Sequence, residues 1–294
     1  MRQRTRDGLL IEGADGQDWL LVALYGSAPG RLLLKPLTVP WLSKLAGSFL
    51  STGASKVFIK PFIKNNHIDM SQFLPEEYES YNDFFSRRIR PEARPIDMDP
   101  RHLISPADSK LTALPITETG RFILKHTEYT VGSLLKDPAL TAEYVGGWCL
   151  IFRLTVDDYH RYCYAFDGEK GENIRIPGKL HTVNPIANDF FPIYKENSRE
   201  YTVLHTREFG DVITMEVGAL LVGKIVNHHG PAAVQRGQEK GYFQFGGSTV
   251  VLLLKKDTAV IDSDILENSR NGIETVVKFG EKIGAANQSQ EEIN

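Results

Sequence analysis

Beyond residue 95, apolar positions come in short runs, or alternate with polar ones, between turn residues. Runs at Leu111–Ile116, Gly120–Leu124, Trp148–Leu154, Tyr201–His205, Val212–Val217, Leu220–Val226, Tyr242–Phe245, Thr249–Leu254, Thr258–Ile261 and Thr275–Phe279, with a shorter one at Ile104, have the length and period of strands. One helix is expected among them, near Val131–Leu135. The pattern predicts an antiparallel sandwich or barrel. Upstream the period lengthens. Tyr78, Tyr81, Phe85 and Ile89 fall at spacings of three and four, which predicts a helix over Pro75–Arg88. Pro36 and Pro40 divide the preceding apolar stretch into short helices, and after Pro40 the residues Trp41, Leu42, Leu45 and Phe49 share a face. Arg90–Pro95 reads as a linker. The fold class is therefore α+β: short N-terminal helices over 1–95, then a β-rich sandwich- or barrel-like domain over 96–284. The polar tail Ala285–Asn294 is expected to be disordered.

Composition narrows the function. The 294 residues are 41% hydrophobic, so the chain can bury a full core without disulfides. With 34 Lys+Arg against 37 Asp+Glu the formal charge is −3, which disfavours a dedicated nucleic-acid binder. Cys149 and Cys163 form no C-x-x-C pair, and His228-His229 lacks a third ligand at metal spacing, so no metal site is expected. The longest unbroken apolar run, Trp19–Tyr25, is too short to cross a bilayer, and acids interrupt any secretory signal. The charge is unevenly spread, however. Between Trp19 and Ile68 there is no acid, whereas Arg31, Lys35, Lys44, Lys56, Lys60 and Lys64 lie among apolar residues. Such a segment either packs on the main domain or docks on an anionic membrane surface, where each cation contributes about 1 kcal/mol. The default is a soluble or peripheral intracellular protein, and if it is membrane-bound the expected location is the cytoplasmic face, peripherally and with no spanning helix.

Two segments carry candidate chemistry. In Gly246-Gly247-Ser248-Thr249 a serine follows two glycines, between an aromatic strand pattern and a buried one. Glycines permit a strained turn, and the serine hydroxyl can then reach the carbonyl of its own preceding residue. In Asp157-Asp158-Tyr159-His160-Arg161 a histidine has adjacent carboxylates, as an activated serine requires. Asp108, in Ser105-Pro106-Ala107-Asp108, is a third candidate, with an Asx-turn as its plain structural alternative. His181-Thr182-Val183-Asn184-Pro185 could be an ordinary turn.

Taken in order, these stretches resemble the phosphatidylserine decarboxylase family. The likeness runs from about Ser80 to Gly284 and includes Tyr81-Asn82-Asp83-Phe84-Phe85-Ser86-Arg87-Arg88, Arg94-Pro95-Ile96-Asp97, Ser105–Asp108, Asp158–Arg161, His181–Pro185, Val217–Gly223, Gly246–Thr249 and Gly280–Gly284. It implies a proenzyme that cuts itself between Gly247 and Ser248 into a β chain, 1–247, and an α chain, 248–294. Ser248 Oγ, deprotonated by His160 oriented by Asp108, would form an ester at the Gly247 carbonyl, with Asp158 as the alternative carboxylate. Elimination and hydrolysis would leave a pyruvoyl cofactor at position 248 and release ammonia. That ketone would form a Schiff base with the amine of phosphatidylserine and accept electrons as CO2 leaves. His181, Asn184 and Tyr159 are implied as substrate-binding residues. The implied partners are phosphatidylserine, an anionic membrane surface and the two chains of one proenzyme; a homo-oligomer is compatible with this. Many relatives carry a second histidine where this chain has Cys163, so both proton transfers are assigned to His160, and many have glycine where Ser109 stands.

Two other classes compete. An ordinary serine hydrolase would use Ser248 on an external ester, but the chain has no G-x-S-x-G elbow. A lipoyl-like carrier would need a modifiable lysine at a hairpin tip, and Lys224 lies inside an apolar run.

Overall fold

A computed structural model describes residues 2–12, 26–27, 30, 45, 47–124, 127–179, 181, 193–219, 224–244 and 248–287. At its centre β16 (Ser248–Leu254) lies antiparallel between β12 (Gly210–Val217) and β7 (Trp148–Leu154). Beyond β12 come β11 (Arg199–Thr206), β9 (Gly168–Lys170) and β14 (Ala232–Val234), with β10 (Ile174–Ile176) also paired to β11. Beyond β7 come β4 (Ser109–Pro115), β18 (Glu274–Val277), β1 (Arg2–Arg4) and β2 (Leu10–Glu12). The β1–β18 pair is parallel. Among the described residues this makes an open sheet of eleven strands and no closed barrel.

Both faces of the sheet are covered, which explains why β16 is apolar almost throughout and not alternating. Leu150, Phe152, Leu154, Val250, Leu252 and Leu254 enter one core. Over that core lie the small sheet of β13 (Ile225–Asn227), β15 (Glu239–Phe243) and β8 (Arg161–Cys163), and another of β17 (Ala259–Ile261), β19 (Lys282–Ala286) and β3 (His102–Ile104). Cys149, Ile151, Val251 and Leu253 enter the second core, with Phe122 and Tyr129 of the hairpin β5 (Arg121–Leu124) and β6 (Thr127–Thr130). The helix expected near Val131–Leu135 is present there as α3 and buries Val131, Leu134 and Leu135.

Three expectations change. The helix expected over Pro75–Arg88 is one turn, α2 (Tyr81–Phe85). Ser80 is extended and caps it by accepting from the Asp83 N–H, which stops the helix upstream. After Ser86 the chain turns back, with Leu74 N–H donating to the Arg88 carbonyl at 2.9 Å and Arg90 N–H to that of Gln72 at 2.8 Å. Arg90–Pro95 is no free linker: it holds a 3-10 turn, Pro91–Ala93, and Arg94 is fastened into the main domain. Ala285 and Ala286 belong to β19, paired with Val260 and Ala259, and not to the tail. The helix expected after Pro40 lies mostly outside the described residues.

Upstream of α2, a 3-10 turn at Gly53–Phe58 leads into α1 (Ile59–Asn65). Phe62 of α1 meets Tyr81 at 5.5 Å and Phe84 at 6.0 Å between ring centroids, so α1 packs inward on one side only.

The small sheet depends on one close approach. A Cβ on Gly241 would meet the Val226 carbonyl oxygen at 2.0 Å and the Tyr162 hydroxyl at 2.8 Å. Gly241→Ala should therefore lose about 2 kcal/mol or more, a fall in Tm of roughly 4–8 °C. Gly230→Ala, with nothing within 4 Å, should shift Tm far less; equal Tm for the two variants in thermal unfolding would refute the argument.

Candidate active site

Ser248 is the first residue of β16, opposite Leu154 at the end of β7. It is fully buried, and its Oγ has no hydrogen-bond partner among the described residues. Side chains alternate along a strand, so Ser248 shares a face with Val250, Leu252 and Leu254. That face meets Tyr159, Tyr162 and Phe243 in the first core.

His160 stands just ahead of β8, a strand of the sheet that covers this core. The connection from β7 turns at Thr155–Asp158, and Phe243 N–H donates to the His160 carbonyl at 2.9 Å. Both strands leading to the Ser248 region are thus fastened to one stretch: β16 to Leu154, and the end of β15 to His160. On the other side, β12 pairs Val217 with Thr249, and Gly218 follows.

The histidine's chemistry is set by its surroundings. His160 is fully buried, with the Phe85 ring 4.0 Å away between centroids. Its Nδ1 lies 2.9 Å from the main-chain oxygen of Asp158. A carbonyl only accepts, so Nδ1 carries the proton and Nε2 is left as a bare lone pair. Nε2 is buried and has no partner among the described residues. Burial, and then the nearby Arg87 cation, lower the imidazole from its ordinary 6.5 to about 3. At neutral pH this is a neutral base with a fixed tautomer.

The carboxylates are held elsewhere. Asp158 accepts from Lys110 Nζ at 2.8 and 2.7 Å and from the Thr155 N–H at 2.7 Å. Burial pushes its carboxyl up while Lys110 opposes the shift. Its side chain fixes the turn, and its carbonyl fixes the histidine. Asp108 accepts from Arg94 Nε at 2.8 Å, from Arg94 Nη2 at 2.6 Å and from the Phe279 N–H at 2.8 Å. The direct orientation of His160 by Asp108 is therefore not the arrangement seen, because Arg94 takes the carboxylate and the Asp158 carbonyl takes the imidazole. Tyr159 stands between Phe73 and Phe279, at 6.2 and 5.8 Å between ring centroids.

His181 belongs to a neighbouring group. Its N–H donates to Asn197 Oδ1 at 2.9 Å, and Asn197 Nδ2 donates to the carbonyls of His181 and Gly218 at 2.8 and 2.7 Å. Because Gly218 continues β12 towards the level of Ser248, this group lies beside the serine along the β12 edge. Asn184 and Gly247 lie outside the described residues. Cys163 is fully buried, and burial pushes its thiol up, so it remains protonated. Sequence reading missed Arg87, Arg94 and Lys110 as site residues. Charge along a chain does not tell which cations are buried; the signal was that Arg87 follows Phe84-Phe85 and that Arg94 stands between two prolines close to Asp108.

Comparison with known proteins gives the family. The phosphatidylserine decarboxylase family model matches residues 81–285. The chain is 51% identical over 265 residues to phosphatidylserine decarboxylase proenzyme 2 of Clostridium acetobutylicum, covering 90% of this chain and 91% of that protein. It is 43% identical over 279 residues to the phosphatidylserine decarboxylase proenzyme of Clostridium perfringens, covering 93% and 94%. The proenzyme of that name from Fusobacterium nucleatum is 40% identical over 267 residues, with 89% of each chain covered. With the match to the family model spanning more than half of the sequence, the chain belongs to the phosphatidylserine decarboxylase family.

Proposed function

We propose that this protein converts phosphatidylserine to phosphatidylethanolamine and CO2, after cutting itself before Ser248 into chains of residues 1–247 and 248–294. The observation that carries the reading is a pair of buried atoms that lack partners among the described residues: Ser248 Oγ, at the head of β16, and the unprotonated Nε2 of His160, just ahead of β8. Buried polar atoms are nearly always satisfied, so two orphans of matching chemistry, one a proton donor and one an acceptor, point to use. His160 Nε2 takes the hydroxyl proton, and Ser248 Oγ attacks the Gly247 carbonyl, exchanging the amide for an ester. Elimination would then free the first chain with a carboxylate end, and water would convert the remaining enamine to the pyruvoyl ketone with release of ammonia. A buried strand end suits such a group, since exclusion of water keeps a ketone unhydrated. A ketone held at position 248 would supply an electron sink for the pair released as CO2 departs. His160, neutral and fixed by the Asp158 carbonyl, returns a proton at the end. Asp108 supports the site through Arg94.

Peripheral docking on an anionic bilayer fits the N-terminal side. Among the described residues no helix is long and apolar enough to cross a membrane. Lys56, Lys60 and Lys64 are exposed at four-residue spacing, and Val57 and Phe58 beside them are 70% and 47% exposed. Phe49, 50% exposed, meets Phe58 at 6.4 Å between ring centroids. A cationic row beside exposed aromatic and aliphatic groups is the pattern of an interfacial anchor.

Wild-type protein should separate on denaturing mass spectrometry into the 247-residue and 47-residue chains, the second blocked by a pyruvoyl group. Ser248→Ala and His160→Ala should stay intact and inactive, and Cys163→Ala should cleave and turn over normally. Persistence of uncleaved wild-type protein with an ordinary Ser248 would refute the proposal.

The pH dependence follows from the lowered histidine. The base form is present above the folded pKa and is lost as pH falls through it. Because His160 stands at about 3 and not 6.5, self-cleavage should be nearly flat from about pH 8 to about pH 5. A fall centred near the ordinary histidine value, in protein shown by circular dichroism to be folded, would exclude His160 as the base.

Vesicle binding should rise with phosphatidylserine content and fall incompletely with salt, since charge is screened and apolar insertion is not. Replacing Lys56, Lys60 and Lys64 by Glu should weaken sedimentation with vesicles by about tenfold or more and leave self-cleavage intact. Equal sedimentation of variant and wild type would assign the segment to packing alone.

A further inference from the structure

Arg87 is 1% exposed, and its Nε, Nη1 and Nη2 all lack hydrogen-bond partners among the described residues. The other deeply buried arginines are not like this. Arg199, equally buried, donates to the carbonyls of Leu134, Lys195, Asn197 and Ser133. Arg153 donates to Glu274 through Nε and Nη2. The Arg87 guanidinium instead stacks 4.2 Å from the Phe73 ring centre and 5.0 Å from that of Phe84. Beside it the Tyr78 hydroxyl is also buried and has no partner among the described residues, its ring 5.3 Å from Phe84. Burial lowers Arg87 only to about 10, so the group stays charged at neutral pH. Asp108, a carboxylate whose field reaches it, is bound to Arg94 and Phe279 N–H. A buried charge with free donors costs several kcal/mol unless something is meant to meet it.

We propose that Arg87, with the Tyr78 hydroxyl, is the binding site for the phosphodiester of the glycerophospholipid substrate. This rests on the decarboxylase reading above and adds a residue-level account of headgroup recognition. The lipid headgroup carries two anions, and the reaction distinguishes them. The carboxylate loses its charge as CO2 leaves, so a cation bound to it would favour the ground state and slow the step. The phosphodiester keeps its charge throughout, and a planar fork of donors matches its oxygens. The surroundings suit a lipid as well. From Arg87 the aromatic groups continue through Phe84 to Phe62 of α1, and α1 follows directly from the turn bearing the exposed Val57 and Phe58. This packed apolar cluster links Arg87 to the exposed Val57 and Phe58, the side from which acyl chains would approach. The amine and carboxylate would then extend towards His160, whose proton affinity Arg87 already influences.

The test uses full-length wild type, Arg87→Met and Arg87→Lys, titrated by calorimetry with dihexanoyl phosphatidylglycerol. This probe has a phosphodiester but no amine or carboxylate. Dihexanoylglycerol is the neutral control. Arg87→Met should raise the Kd for the phosphodiester lipid about 10- to 100-fold, leave the neutral lipid unchanged, and raise the Tm of the lipid-free protein, because a stranded charge has been removed. Arg87→Lys should recover part of the affinity, having the charge without the fork. Unchanged phosphatidylglycerol affinity in Arg87→Met would overturn the proposal and leave the carboxylate as the group for Arg87. A loss shared by the neutral lipid, or a lowered Tm, would overturn it by making Arg87 a structural stacking residue. A parallel denaturing gel separates the two readings: wild type that stays one chain but binds phosphatidylglycerol through Arg87 removes the decarboxylase and keeps the subsite, whereas cleaved wild type with Arg87-independent binding does the reverse.

Discussion

The structure depends on the confinement of β16. All seven of its residues are buried, and it is hydrogen-bonded along both edges to β12 and β7. A strand with no solvated face and no free edge can move only if the core moves with it. The serine proposed to react is the first residue of that strand, so one end of its peptide is held by the core. The histidine is on the covering layer, and the turn that bears it starts from the residue opposite the serine. Positional accuracy at the site is thus a by-product of core packing.

Charge beside the histidine is matched unevenly. Lys110 is matched by Asp158, and Arg94 by Asp108. His160 is neutral, its tautomer chosen by a main-chain carbonyl and not by a carboxylate. A direct acid–histidine contact would have raised the proton affinity of the ring. The carbonyl orients the ring without holding a proton on it. Arg87 is left over, and its field acts on the imidazole in the same direction as burial.

Much of the fold was legible because its signals are local. The run Trp148–Leu154 is β7 and the run near Val131–Leu135 is α3, since chain pattern and burial agree there. The helix read over Pro75–Arg88 shrank to Tyr81–Phe85 because the same aromatic spacing serves one helical turn flanked by extended chain that pairs with itself, as Phe73 does with Ile89. Arg90–Pro95 looked like a linker because two prolines frame it, yet its arginine reaches into the domain. Ser248 and His160 could be named from residue type and company. Their supports could not: the partner of Asp108 is fourteen residues away, and that of Lys110 forty-eight, and no periodicity connects them.

The position of Ser248 at the head of β16 also bears on how long the molecule lasts. Residues from 248 onward supply β16, β17, β18 and β19, which pair with β12, β7, β4, β1 and β3 of the preceding part. A cut before Ser248 would leave two chains clasped by ladders and by both cores, with no covalent link between them. While clasped, they would be nearly as stable as the single chain. Once apart, they would have to find each other again as separate molecules, and the short chain would carry its central strand exposed. Refolding would then be a second-order search against aggregation. The lifetime of the processed protein would be set by its rate of first opening, so the burial of β16 that positions the serine would also act as the clock on the enzyme's working life.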